Sequence, residues 1–129
     1  MKTVLIIEDN LDIRENTAEI LEFFNFKVIT AESGKAGLSA AFRSKPDLIL
    51  CDIMMPGLDG YEVIKQLKRN PSTCAIPFIY LTASGERSDV RIAMEMGASG
   101  YVRKPFEGRQ LIAEIQKCLK QVTHLSSSV

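Results

Sequence analysis

Five short, dense apolar runs alternate with five longer stretches of helical periodicity, and that alternation leaves few folds open to this chain. The runs are residues 4–7, 27–31, 47–52 (with "LILC" at its centre), 76–82 ("IPFIYLT") and 100–103. Between them the apolar spacing changes to three and four. Ile13, Thr17, Ile20, Leu21 and Phe24 share one helical face, with Asn10 placed to cap it. Further helices are predicted over 33–43, 61–69, 88–96 (stopped by Gly97) and 107–122, the last with Leu111, Ile112, Ile115, Leu119 and Val122 on one stripe. Asn70-Pro71 and the "MMPGLDG" segment read as loops. Strands that are apolar on both faces and separated by helices predict an α/β fold: a five-stranded parallel sheet, doubly wound, with helices on both sides. A length of 129 residues suits one domain, expected over 1–122 with a polar tail at 123–129.

In such sheets the chemistry lies beyond the carboxyl ends of the strands, beside the point where strand order reverses. Those ends hold Glu8 and Asp9, then Asp52, then Thr82-Ala83-Ser84, then Lys104-Pro105. Parallel strands would bring three carboxylates, a hydroxyl and an ammonium to one rim. Carboxylates so crowded raise one another's pKa, and an oxygen-preferring divalent cation relieves the repulsion. Mg²⁺ fits, because it takes few carboxylates and leaves room for a phosphoryl group. Asp52 could then be a ligand or a nucleophile that forms an aspartyl-phosphate, with Lys104 and Thr82 on the phosphoryl oxygens.

Composition narrows the alternatives. Sixteen basic residues balance sixteen acidic ones, which leaves no footprint for direct nucleic-acid or membrane-surface binding. No apolar run approaches bilayer length, and the N-terminus lacks a secretory core. Cys51, Cys74 and Cys118 are odd in number with no CxxC spacing, against both a disulfide framework and a zinc site. A reducing, cytoplasmic setting is the simplest reading. His124, the sole histidine, falls in the polar tail and offers nothing to catalysis.

"IIEDN", "PDLILCDIMMPGLDGYEVIKQLK", "IPFIYLTA" and "GASGYVRKPF", in that order, resemble a receiver domain of two-component response regulators over residues 2–121. The resemblance implies a flavodoxin-like fold with strand order 2-1-3-4-5. It also implies that Asp52 accepts a phosphoryl group from a sensor histidine kinase or a phosphotransfer protein. Glu8, Asp9, Asp52 and the backbone carbonyl of Met54 would hold Mg²⁺, with Mn²⁺ as a substitute. Thr82 and Lys104 would bind the phosphoryl group, and Tyr101 would be the switch aromatic that turns inward when Thr82 moves. The Lys104-Pro105 bond is expected to be cis, and Met54 and Ser84 to tune a phosphoryl lifetime of moderate length. Such a domain is a signalling module rather than an enzyme, although it assists its own phosphoryl transfer and autodephosphorylation.

Rival chemistries fit less well. A haloacid-dehalogenase phosphohydrolase places a second Asp two residues after its nucleophile, where this chain has Met54. A flavodoxin's phosphate loop is rich in Ser, Thr and Gly, whereas Glu8-Asp9 would repel a phosphate without a metal. The P-loop pattern GxxxxGK[ST] is absent. By the resemblance, an output partner would dock on the face of helix four, strand five and helix five. Gly100 and Glu114 depart from the charge pairs of winged-helix regulators that dimerise there, so a monomer or weak dimer is expected. A stand-alone receiver and a piece of a longer regulator both remain open.

Overall fold

In a computed structural model, residues 1–83 and 87–127 are described, with side chains for all of these except 87–89 and 122–127. Five strands and five helices alternate: β1 Thr3–Ile7, α1 Leu11–Phe23, β2 Lys27–Ala31, α2 Gly34–Ser44, β3 Leu48–Asp52, α3 Gly60–Arg69, β4 Phe78–Thr82, α4 Arg87–Glu95, β5 Gly100–Arg103 and α5 Gly108–Ser127. The strands form one sheet in the order β2-β1-β3-β4-β5, every pair parallel. This is the doubly wound α/β architecture expected from the alternation, and order reverses between β1 and β3.

Period two along each strand divides the core. Leu5, Ile7, Ile49, Cys51, Phe78 and Tyr80 face α2, α3 and α4, where Leu38, Ala41, Val63, Ile64, Leu67 and Ala93 meet them. Val4, Ile6, Leu48, Leu50, Ile79 and Leu81 face the other way, onto Leu21 of α1 and Leu111, Ile112, Ile115 and Cys118 of α5. β3 and β4 are buried along their whole length, which explains why their apolar runs show no alternation. β2 lies at the edge and is half exposed.

Side-chain caps start three of the helices. Asn10, Ser33 and Asp59 each accept a hydrogen bond from the backbone N–H three residues on, at Ile13, Ala36 and Glu62. Two boundaries differ from expectation by more than one residue. β4 begins at Phe78, because Pro77 has no N–H to donate to a ladder. α5 continues to Ser127 rather than ending at 122, since no Gly or Pro interrupts residues 109–127 and serine only mildly disfavours a helix. Among the described residues no helix is long and apolar enough to cross a membrane.

Candidate functional site at the carboxyl rim

The carboxyl ends of β1, β3, β4 and β5 deliver the expected residues to one place. The Glu8 N–H donates to the Ala31 carbonyl at 3.0 Å, extending the β1–β2 ladder by one residue and carrying the Glu8 side chain onto the rim. There it is only 1% exposed, whereas neighbouring Asp9 points into solvent. The turn into α1 is pinned on both sides. Glu8 Oε2 accepts from the Asn10 N–H at 3.3 Å, and Arg14 Nη1 donates to the Glu8 carbonyl at 2.9 Å.

Asp52 closes β3 and is buried, with Oδ1 accepting from the Met54 N–H at 3.3 Å. Lys104 is fixed from the far side of the sheet, where its N–H donates to the Thr82 carbonyl at 2.7 Å. Its ammonium lies between two carboxylates, hydrogen-bonded to Glu8 Oε1 and 3.2 Å from Asp52 Oδ2. The following bond, Lys104-Pro105, is cis.

One carboxylate oxygen from each of Glu8, Asp9 and Asp52 lies within 4.8 Å of the others. That separation and the all-oxygen donor set suit a hard divalent cation. Without a cation the electrostatics are unfavourable. Burial pushes the Glu8 carboxyl up to about 7, and Asp52 adds to this while Lys104 opposes it. Burial outweighs even a direct ammonium contact.

Thr82 ends β4, is buried and is already engaged by a neighbour. Tyr101 lies on β5 in register with Tyr80, 41% exposed, so its ring is turned outward. Ala83 is exposed and carries only a methyl side chain. Met54 is 77% exposed, while Met55 is buried in the core. Ser84 and the side chain of His124 lie outside the described residues.

Two contributors escaped the sequence reading. Arg14, one helical turn beyond Asn10, braces the main chain beneath the carboxylate pair. Gly60 is packed so closely that a Cβ there would lie 2.6 Å from the Asp52 carbonyl oxygen and 2.8 Å from Ile53 Cα. The signal for Gly60 was present as the last residue of "MMPGLDG". Gly100 and Glu114 also belong together. Glu114 Oε1 lies 2.3 Å from where a Gly100 Cβ would stand, so the carboxylate fills the space that glycine leaves on β5.

Residues 4–116 match the family described as the response regulator receiver domain. The phosphate regulon transcriptional regulatory protein PhoB of Pseudomonas aeruginosa is 40% identical over 120 residues, 93% of this chain and 52% of that protein. The transcriptional regulatory protein AfsQ1 of Streptomyces coelicolor is 40% identical over 121 residues, 94% of this chain and 52% of that protein. Among solved structures, the chemotaxis protein CheY4 of Vibrio cholerae superimposes with a TM-score of 0.88 at 27% identity, covering 92% of this chain and 98% of that one. The chain spans about half the length of the curated relatives it matches.

Proposed function

The chain belongs to the response regulator receiver family of two-component signal transduction, and from that premise we propose that Asp52 is its phosphoacceptor. The observation that carries this reading is the convergence of Glu8, Asp9, Asp52 and Lys104 on one rim. An Asp52 carboxylate oxygen attacks the phosphorus of a phosphohistidine on a sensor kinase or phosphotransfer protein. The P–N bond breaks, the imidazole leaves, and an aspartyl-phosphate remains. Glu8, Asp9, Asp52 and the Met54 carbonyl are the residues that would hold Mg²⁺, or Mn²⁺ in its place. When bound, the cation neutralises charge developing on the phosphoryl oxygens. Lys104 leaves Glu8 for the new dianion, and the Thr82 hydroxyl donates to it.

Switching follows from the same movement. A dianion at Asp52 draws Thr82 toward it and opens space that the outward Tyr101 ring can enter. Phosphorylation shifts the balance between outward and inward states only by its differential interaction with the two. The face of α4, β5 and α5 would then engage an output partner. The domain assists its own phosphoryl transfer and hydrolysis, with Met54 and Ser84 tuning a moderate lifetime, and works in the cytoplasm.

Incubation with acetyl phosphate tests the assignment. Magnesium-dependent labelling of the wild type, abolished in Asp52→Asn, is the expected result. Labelling that persists in Asp52→Asn, or that ignores chelation of the metal, would overturn it.

A further inference from the structure

We infer that Tyr80 is a positioning residue for the phosphoacceptor loop, acting through a hydrogen bond from its hydroxyl to the Gly60 carbonyl. This rests on the reading of Asp52 as phosphoacceptor with the Met54 carbonyl as a metal ligand. Tyr80 lies on β4, fully buried, in register with Cys51 of β3. Its ring packs against Phe78 and Tyr61, with centroids 4.9 and 5.9 Å away, and its hydroxyl reaches Gly60 at 3.2 Å. A purely apolar side chain would fill the same core; the hydroxyl is the part that needs an explanation.

Gly60 is the joint that the hydroxyl holds. Its N–H donates to the Ile53 carbonyl at 2.9 Å, closing residues 53–60 into a loop that contains Met54. A Cβ on Gly60 would stand 2.6 Å from the Asp52 carbonyl oxygen, too close for any side chain. The Gly60 carbonyl is thereby tied to β4 two residues before Thr82, while its amide is tied to the residue after Asp52. Displacement of Gly60 would move the Met54 carbonyl relative to the Asp52 carboxylate. Burial pushes the Tyr80 phenol upward from its ordinary pKa, so it remains a donor across the working pH range.

The test is Tyr80→Phe, which keeps the ring and removes only the donor. In calorimetric titration of the whole chain, magnesium should bind about three- to tenfold more weakly. Half-saturating magnesium for acetyl phosphate labelling should rise by the same factor, with the rate at saturating magnesium within about twofold of wild type. Magnesium should also raise the unfolding midpoint of the variant less than that of the wild type. A merely structural tyrosine would lower both midpoints equally and leave magnesium affinity unchanged; that result overturns the inference. Should the variant not fold, amide exchange on the wild type decides. Magnesium should slow exchange at Gly60 and Tyr61 as well as at Met54, and no change at Gly60 overturns the inference. A wild type that binds no magnesium would instead overturn the underlying reading.

Discussion

Lys104 lies 96 positions after Glu8 in the chain, yet its ammonium is hydrogen-bonded directly to the Glu8 carboxylate and shared with Asp52. One cation thus serves two buried carboxylates, with Asp9 as a third anion beside them. The metal-free protein carries this imbalance as a cost to stability, offset when a divalent cation or a proton arrives.

A pH dependence follows for the metal-free protein. Glu8 has a folded-state value near 7 against 4.5 for an ordinary glutamate, so its ionisation opposes folding. Below about pH 4.5 the group contributes nothing. Between there and pH 7 stability should fall as pH rises, and above pH 7 the loss is complete, on the order of 3 kcal/mol. Urea unfolding in a chelator from pH 5 to 8 should show this decline, and Glu8→Gln should flatten it. An equal slope in the variant would assign the effect to other groups.

Thr82→Ala should accept a phosphoryl group but transmit it poorly. The hydroxyl lies at the end of β4, with Arg103 opposite on β5 and Tyr101 two residues before that. The substitution retains the Asp52, Lys104, Glu8 and Asp9 side chains. Labelling within about threefold of wild type, with amide shifts in residues 87–103 reduced by half or more, is the expected outcome. Full-sized shifts would separate Thr82 from the switch.

Gly60→Ala and Gly100→Ala should differ sharply. At Gly60 the added methyl would meet backbone atoms of Asp52 and Ile53, which cannot yield without moving Asp52. About 1–3 kcal/mol of destabilisation is expected, together with weaker labelling. At Gly100 the obstacle is the end of the flexible Glu114 side chain, which can swing aside. That variant should cost less than about 1 kcal/mol and label normally. Chemical denaturation and acetyl phosphate labelling of both proteins provide the comparison.

The three thiols should fall into two classes of reactivity toward a thiol reagent. Cys51 is fully buried and its thiol is pushed well above the ordinary range by burial, with Asp52 and Glu8 adding to the effect. Cys118 is pushed up to about 11, again chiefly by burial. Cys74 is only half buried. Near pH 8 one equivalent of a thiol reagent should react with native protein and three in urea. Rapid reaction of all three in the native state would contradict the packing of β3 and α5.

Much of the site was legible in advance because parallel strands place their carboxyl ends on one rim. Glu8, Asp9, Asp52, Thr82 and Lys104 could be gathered without coordinates. Their relationships could not. Nothing in the adjacent letters of Glu8 and Asp9 says that one is buried and the other exposed, because strand pleat and the turn into α1 decide it. The outward Tyr101, the Arg14 brace and the Tyr80–Gly60 bond depend on register between β3, β4 and β5, which is set by the packed sheet. The end of α5 was misplaced because polar residues were read as tail, although none of them breaks a helix.

By itself the sequence determined the periods: two for strands, 3.6 for helices, and turn residues between them. Those are local properties, so element order, the cap at Asn10 and the parallel class of sheet could be read directly, whereas the caps at Ser33 and Asp59 came from the structure. Only tertiary structure decided which charges meet. Bringing Lys104 onto Glu8 and Asp52 requires closing loops of dozens of residues, and burial then changes how each group ionises. Dielectric and distance belong to the packed site rather than to any residue alone, and those two quantities turn three carboxylates and an ammonium at separate strand ends into one cluster that could hold a cation.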